Sequence, residues 1–160
     1  MRLLGLDRAN SSLPKIRNEP PPDSGADLLV ITCDTDLYAR IHEIVSVWKW
    51  TIRRQTQPAL SPDCDLPTII ILDADLADGN WKDALMSLRA SANNQCVILA
   101  SRVFDPYLWD EVVRCGGFDV IARSGEREHL ASHLRFAWFW KTRVSHDRGS
   151  DRRHSTFRNR

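Results

Sequence analysis

Short runs of apolar residues recur along the middle of the chain, and stretches with a helical pattern separate them. Four of the runs are apolar at almost every position, namely residues 28–31, 68–72, 96–100 and 119–122. Continuous runs of this kind are typical of parallel strands that are covered on both faces. Residues 51–56 alternate weakly between polar and apolar side chains, which predicts a strand at the edge of a sheet.

Helical stripes fill the intervals between these runs. Their apolar positions recur every three or four residues. They are Leu37, Ile41, Ile44, Val45 and Trp48, then Trp81, Ala84, Leu85 and Leu88, then Leu108, Val112 and Val113, and finally Leu130, Leu134 and Ala137. Asp105 followed by Pro106 predicts a helix start, and Gly116 with Gly117 predicts its end. We expect Ser124 to cap the last helix.

The alternation of strands and helices predicts an α/β fold with a doubly wound, five-stranded parallel sheet. One crossover departs from the usual pattern. Residues 58–67, which contain three prolines, are all that separates the second predicted strand from the third. A parallel crossover usually needs a dozen or more residues. We therefore expect the second crossover helix to be short or missing.

The length of 160 residues matches one domain. Residues 26–144 hold the alternating pattern and are predicted to form it. Residues 1–25 are poor in apolar side chains, and residues 145–160 are rich in arginine. Such segments do not bury enough surface to offset the entropy of ordering. We expect a disordered N-terminal tail and a basic, disordered C-terminal tail.

Composition excludes several classes of protein. A net charge of +1 argues against a nucleic-acid partner, because binding to phosphates needs a positive field. No apolar stretch approaches the roughly 20 residues of a transmembrane helix, and no secretory signal is evident, so a cytoplasmic protein without a membrane partner is expected. The four cysteines are widely spaced, which argues against a zinc site. Cys33 and Cys96 are predicted to be buried.

Polar residues follow the predicted strands. Asp34 follows the first strand, Asp73 and Asp75 the third, Ser101 the fourth and Arg123 the fifth. Because parallel strands end at one edge of a sheet, these groups should lie close together. A carboxylate there can attack phosphorus, and a hydroxyl with a cation can hold phosphoryl oxygens. The strand turns lack the glycine-rich motifs of nucleotide sites, which argues against a nucleotide-binding enzyme on a similar sheet.

Residues 27–141 resemble the receiver domain of two-component response regulators. The resemblance depends on residues 70–73 for the phosphoacceptor strand, residues 97–101 for the strand with the switch hydroxyl, and residues 116–123 for the segment that normally ends in a lysine. It implies a flavodoxin-like fold and a signalling role in a phosphorelay rather than enzymatic activity. With no output domain in view, the chain would be a stand-alone receiver.

The resemblance also implies roles for individual residues. Asp73 would accept a phosphoryl group from a histidine kinase or a phosphotransfer protein, with Ser101 as the switch hydroxyl and Arg123 as the cation that contacts the phosphoryl group. Mg²⁺ is the implied cofactor. Its candidate ligands are Asp34, Asp73 and the backbone carbonyl of Asp75, although Asp34 is also a candidate N-cap of the first helix. A downstream effector protein would respond to the modification.

Several positions depart from the receiver pattern. Thr32 and Cys33 stand where the family has an acidic pair for Mg²⁺, and Arg123 stands where it has a lysine. Ser124 replaces the proline that normally follows, and Val120 replaces an aromatic residue. These departures support an alternative function, namely a pseudo-receiver that acts as a protein-interaction module without phosphorylation.

The last predicted helix carries an aromatic cluster. Phe136, Phe139 and Trp140 do not share the face that should meet the sheet, so we expect them to form an exposed surface for a partner protein or a homodimer. A terminal tail folded over these rings is the alternative. His129 and His133 lie one helical turn apart in the same helix. Without a third ligand nearby in sequence, they are predicted to be ordinary surface histidines.

Overall fold

In the part of the chain that the structure describes, five strands and four helices follow one another, with a helix after every strand except the second. The computed structural model describes residues 25–60, 65–77, 79–91 and 94–150, and the side chains of this last stretch as far as residue 143. The strands are β1 (Asp27–Ile31), β2 (Thr51–Gln55), β3 (Ile69–Asp73), β4 (Cys96–Ser101) and β5 (Asp119–Ala122). The helices are α1 (Thr35–Val47), α2 (Trp81–Ser91), α3 (Pro106–Arg114) and α4 (Arg127–Ser150).

The strands form one parallel sheet in the order β2-β1-β3-β4-β5. The chain moves outward from β1 to β2 and then returns to the other side of β1 for β3, β4 and β5. This reversal makes the sheet doubly wound, as predicted, and places β2 at an edge. In an open sheet of this kind, the crevice beyond the carboxyl ends of the strands is the usual place for a site.

The two faces of the sheet carry separate apolar cores. Leu28 and Val30 point into a core formed with α1 and α4, whereas Leu29 and Ile31 point into a core formed with α2 and α3. Every residue of β3 is buried. Complete burial of a large aliphatic side chain stabilises a fold by about 1.5–3 kcal/mol, so the all-apolar strands supply much of the driving force.

The connection from β2 to β3 has no helix in its described residues, 56–60 and 65–68. The side-chain amide of Gln55 donates to the carbonyls of Gln57 and Ala59, each at 2.8 Å. Leu60 packs against the core on the α2 and α3 side. Within these residues, the prediction of a short or missing second crossover helix is confirmed.

The boundaries of α3 follow the predicted signals. The carboxylate of Asp105 accepts a hydrogen bond from the backbone N–H of Leu108 at 2.7 Å, and Pro106 is the first helical residue. Gly116 has a φ of 87°, which costs glycine little and other residues more. A Cβ atom on Gly117 would lie 2.4 Å from Cγ1 of Val112, so the chain passes too close to the helix for a side chain.

The start of α4 differs from the prediction. Ser124 lies in a turn and the helix begins at Arg127, so the predicted cap at Ser124 is wrong. The physical reason is that the chain first reverses after β5, with the N–H of Gly125 donating to the carbonyl of Ala122 at 2.9 Å. The first helical bond is then made to the carbonyl of Glu126.

The far end of α4 also extends beyond the predicted domain boundary. Its backbone is helical through Ser150, whereas the basic tail was expected to begin at residue 145. Residues 1–24 and 151–160, where the rest of the two predicted tails falls, lie outside the described residues. Among the described residues, no helix has the length and apolar character needed to cross a membrane.

The cysteines agree only in part with their predicted burial. Cys96 is buried in β4 and Cys33 is exposed, so the prediction for Cys33 is wrong. β1 ends at Ile31, and Cys33 therefore falls in the loop before α1 rather than in the strand. Cys115 is partly buried, and Cys64 lies outside the described residues.

Candidate functional site

Four charged residues meet at the carboxyl edge of the sheet. The guanidinium of Arg123, after β5, forms ion pairs with Asp34, after β1, and with Asp75, after β3. The same guanidinium lies 3.3 Å from Oδ1 of Asp73, at the end of β3. We call Asp34, Asp73, Asp75 and Arg123 the carboxyl-edge cluster. The structure thus brings together the three acidic residues and the cation that the sequence singled out.

Asp73 is the most deeply buried member of this cluster, with 1% of its surface exposed. Its Oδ2 accepts a hydrogen bond from the hydroxyl of Thr32 at 2.5 Å, and its Oδ1 accepts one from the backbone N–H of Asp75 at 3.1 Å. With Arg123 on Oδ1 as well, both carboxylate oxygens have partners inside the protein. A buried carboxylate is tolerated only with such partners.

Thr32 is the residue that the sequence interpretation missed. The sequence drew attention to it only as a poor ligand for Mg²⁺, yet its fully buried hydroxyl also accepts a hydrogen bond from the N–H of Asp34 at 2.9 Å. The signal that would have found it is strand register. Ile31 pairs with Leu72 across β1 and β3, so the next residue of each strand, Thr32 and Asp73, must lie side by side.

Asp34 serves the helix and the cluster at the same time. Its Oδ1 accepts hydrogen bonds from the N–H groups of Asp36 at 2.8 Å and Leu37 at 3.2 Å, which caps α1. Its Oδ2 faces Arg123. The hydrogen bond from Arg123, aided by the backbone bonds at the cap, lowers the pKa of Asp34 below its ordinary value. The two interpretations of Asp34, as a cap and as a residue of the site, therefore describe two oxygens of one side chain.

Hydrogen bonds to the backbone around Arg123 fix the position of this residue. The guanidinium of Arg40, on α1, donates to the carbonyl oxygens of Arg123 and Gly125. The N–H of Arg123 donates to the carbonyl of Ser101 at 2.9 Å. Burial opposes the charge on Arg123, but Asp34 and the neighbouring carboxylates outweigh it and raise the pKa of the guanidinium further. The cation is therefore permanent and fixed in place.

Ser101 and Asp75 lie at the border of the cluster. Ser101 is 7% exposed, and its hydroxyl accepts a hydrogen bond from the N–H of Val103 at 3.2 Å, which is the contact of a turn-forming serine. The side chain of Asp75 is 49% exposed and also pairs with Arg102 at 2.8 Å. Ser101 lies on β4, the strand beside β3, as the sequence predicted.

The residues present do not fit a Mg²⁺ ion. Mg²⁺ requires oxygen ligands in near-octahedral geometry, and Thr32 and Cys33 occupy the positions where the receiver pattern has its acidic pair. The oxygens of Asp34 and Asp73 are committed to backbone N–H groups, to Thr32 and to Arg123. Within the described part of the chain, no group of three or more histidine, cysteine or acidic side chains is arranged to hold a metal ion. Arg123 supplies the positive charge that a cation would bring.

A second feature lies on α4. Phe136, Phe139 and Trp140 are 47%, 46% and 52% exposed, and we call these three residues the aromatic surface. The ring of Phe118 lies 5.7 Å from that of Phe136 and 6.3 Å from that of Trp140, between centroids. The guanidinium of Arg143 stacks over Phe139 at 4.2 Å. These rings are exposed in the described part of the structure, as predicted.

One prediction about histidines needs correction. His129 is exposed, but His133 is only partly exposed and its ring lies 2.5 Å from a carboxylate oxygen of Asp119. The helical spacing that placed both histidines on the surface did not show that β5 presents an acidic side chain to this face.

Comparison with known proteins identifies the fold of this chain as a receiver fold. No family model matches the sequence, and no curated protein matches it. Solved structures do match. The signal receiver domain of a Luxo repressor protein from Vibrio parahaemolyticus is 17% identical, with a TM-score of 0.67 over 76% of this chain and 95% of that one. A CheY-like receiver domain from Methanospirillum hungatei JF-1 is 10% identical, with a TM-score of 0.67 over 76% of this chain and 99% of that one.

A third similar structure is NtrX from Brucella abortus, which is 16% identical with a TM-score of 0.72. The match covers 85% of this chain and 32% of that one, so this chain spans about a third of the longer protein. Together these structures show that the chain has the fold of response-regulator receiver domains, with a flavodoxin-like parallel sheet.

Proposed function

We propose that this chain is a receiver-fold signalling domain that works as a protein-interaction module without phosphorylation of Asp73. The observation that supports this function best is the position of Arg123. Its guanidinium joins Asp34, Asp73 and Asp75, so each of the three carboxylates already has a cation of the protein beside it.

The surroundings of Asp73 do not match the requirements of phosphoryl transfer. Transfer to a carboxylate requires an oxygen that the donor can approach in line, together with cations that neutralise the incoming charge. Both oxygens of Asp73 have protein partners, and the residue is 1% exposed. Thr32 supplies a hydroxyl where the receiver pattern supplies a carboxylate for Mg²⁺. Each of these features favours a site that maintains the fold over one that reacts.

The second candidate function is the phosphoacceptor role of Asp73 in a two-component phosphorelay. It is favoured by the placement of Asp73 at the end of β3, with Ser101 on the neighbouring strand and a cation within 3.3 Å. In that case the partners would be a histidine kinase or a phosphotransfer protein, with an effector downstream.

Intact mass separates the two functions. The purified chain is incubated with acetyl phosphate, once with Mg²⁺ and once with a chelator, beside an Asp73→Asn variant and an active receiver domain as a positive control. We expect the positive control to gain a phosphoryl group and this chain to keep its mass. An adduct on the wild-type chain that Asp73→Asn lacks would overturn the proposal and establish the phosphoacceptor role.

The aromatic surface is the proposed docking site of this module, and a second copy of the chain is the occupant we propose. Exposed aromatic rings with a stacked arginine are the composition of an interface centre. A net charge of +1 offers little repulsion between copies, and a homodimer would place the same patch of both copies face to face.

Sedimentation equilibrium tests this occupant. The wild-type chain is compared with Phe139→Ser and with a control, Met86→Ser, which changes another exposed apolar residue, on α2 (Met86 is 59% exposed and Phe139 46%). We expect a dimer for the wild type and the control and a monomer for Phe139→Ser. A monomeric wild type would overturn the homodimer and leave a different protein as the occupant.

A further inference from the structure

Two imidazole rings face each other at the start of α4. Nε2 of His129 lies 3.0 Å from Nε2 of His133, and the ring centroids are 4.6 Å apart. Residues four apart in a helix lie on one face, and here their ring nitrogens point at one another. His129 is exposed, so solvent reaches the space around this pair.

A carboxylate fixes the orientation of the second ring. Nδ1 of His133 lies 2.5 Å from Oδ2 of Asp119, the first residue of β5. The other oxygen of Asp119 accepts hydrogen bonds from the N–H of Val120 at 2.9 Å and from the indole of Trp109 at 3.3 Å. The side chains of Asp119 and His133 are 17% and 20% exposed.

These contacts determine which nitrogen of His133 is free to bind. Both oxygens of Asp119 have protein partners: Oδ1 accepts from Val120 and Trp109, and Oδ2 faces Nδ1 of His133. An ionised carboxylate only accepts hydrogen bonds, so Nδ1 of His133 carries the proton that it donates. In the neutral ring, Nε2 then holds a lone pair directed towards His129, where it accepts the hydrogen bond between the two rings. A metal ion bound to both rings would take the place of the proton in that bond, and this proton would be released to solvent.

We propose that His129 and His133 form a binding site for a divalent transition-metal ion, with Asp119 as the carboxylate that orients His133. Imidazole nitrogen is a preferred ligand of zinc, copper and nickel ions. A histidine whose other nitrogen donates to a carboxylate is the usual arrangement around such metals. Two nitrogens bound at about 2.0–2.1 Å to one tetrahedral ion lie about 3.3–3.4 Å apart, so the two Nε2 atoms, which are 3.0 Å apart, would have to separate only slightly.

The site would take its remaining ligands from water. Among the residues that the structure describes, no cluster of three or more metal-binding side chains is found, so the protein supplies two nitrogens. Ligand histidines must be neutral, and protons therefore compete with the metal at low pH. The site is also separate from the carboxyl-edge cluster, because Asp119 begins β5 and Arg123 follows its end. Its test is accordingly independent of the proposed function.

Titration calorimetry with Zn²⁺ at pH 7.5 tests the proposal on the full chain. The variants are His129→Gln, which removes an exposed ligand, and His133→Gln, which removes the oriented one. The control is His42→Gln, which removes an exposed histidine from α1. We expect affinity for one Zn²⁺ ion to fall at least tenfold in His129→Gln and in His133→Gln and to stay unchanged in His42→Gln. Equal affinity in the wild type and His129→Gln, or no binding by the wild type, would overturn the proposal.

Asp119→Asn tests the orienting role separately. This variant keeps both ligands, and loss of such a carboxylate typically weakens metal binding by about 10–100-fold. Nitrogen chemical shifts of the two imidazoles, measured with and without Zn²⁺, identify the bound atoms. We expect the Nε2 signals of His129 and His133 to move. Shifts confined to other histidines would contradict the assignment.

Discussion

The carboxyl-edge cluster and the aromatic surface are opposite in character. The first is polar and largely buried, and its groups find their partners within the chain: Arg123 with Asp34, Asp73 and Asp75, and Asp73 with Thr32. The second is apolar, and about half of each ring remains in contact with water. A polar cluster whose groups all have partners within the protein stabilises the fold, and a ligand would add few favourable contacts to it. An exposed aromatic patch adds little to stability and gains much from a partner. Under the proposed function, binding would take place at the aromatic surface on α4 and not at the sheet edge, where folds of this kind usually have their site.

Among the substitutions considered, Arg123→Met should lower the free energy of unfolding most, because it removes the cation of the carboxyl-edge cluster. The variant keeps the length of the side chain but leaves Asp73 buried without its cation. Removing one partner of a buried ion pair costs about 3–5 kcal/mol. We expect a loss of that size in the free energy of unfolding, measured with urea. Arg102→Met is the matched control, because its side chain is 74% exposed and a change there should stay within about 0.5 kcal/mol. Equal losses in both variants would contradict the central role of Arg123.

Thr32→Val should have the next largest effect. Valine has nearly the same shape, but it removes the hydroxyl that donates to Oδ2 of Asp73. A buried acceptor left unsatisfied costs about 1–3 kcal/mol, and urea unfolding should show a loss in that range. Thr35→Val, at an exposed position on α1, should leave stability almost unchanged. A neutral Thr32→Val would mean that the hydrogen bond to Asp73 adds nothing to the fold.

Acidification should reveal the smaller contribution of Asp34. The folded-state pKa of this carboxyl group lies below its ordinary value of 3.8. Its stabilising effect is therefore present above about pH 4 and is lost as the pH falls through the lower folded-state pKa. Asp34→Asn keeps a good helix cap and loses the charge. We expect the variant to be less stable than the wild type at pH 7, with the difference shrinking towards pH 3. A constant difference across this range would contradict the ion pair.

Phe139→Ser should change stability least. Surface substitutions usually stay within about 0.5 kcal/mol, and the ring is 46% exposed. Urea unfolding of Phe139→Ser should therefore match that of the wild type when both are measured at concentrations low enough for the wild type to be monomeric. Trp138→Ala provides the contrast one residue away, because this ring is 9% exposed and such truncations cost about 3–5 kcal/mol. A large loss in Phe139→Ser would show that the ring belongs to the core.

The positions of the strands along the chain could be predicted because a strand buried on both faces is apolar at successive residues. The runs that became β1, β3 and β4 are apolar at successive positions, and polar residues gather where those strands end. The weaker alternation of β2 marked it as an edge strand for the same reason. Asp34, Asp73, Asp75 and Arg123 were then brought together by topology alone.

The remaining contacts depend on geometry that one sequence does not display. The bond between Thr32 and Asp73 requires the register of β1 against β3, and the pair of His133 and Asp119 requires the packing of α4 against β5. Ser124 has the composition of a helix cap, but the turn after β5 delays the helix. The first two are contacts between elements, and the third is a local turn that prevails over the capping preference of serine.

Arg40 has a consequence for the kinetics of folding. Its guanidinium joins α1 to carbonyl groups of the loop after β5, across 83 residues of sequence at Arg123 and 85 at Gly125. Such distant links form only after the intervening chain has been ordered, because closing a long loop costs entropy before any contact repays it. We expect Arg40→Met to accelerate unfolding while leaving the refolding rate nearly unchanged, as for interactions absent from the transition state. In the folded protein, this one side chain would then slow unfolding by joining the first helix to the loop that follows the last strand of the sheet.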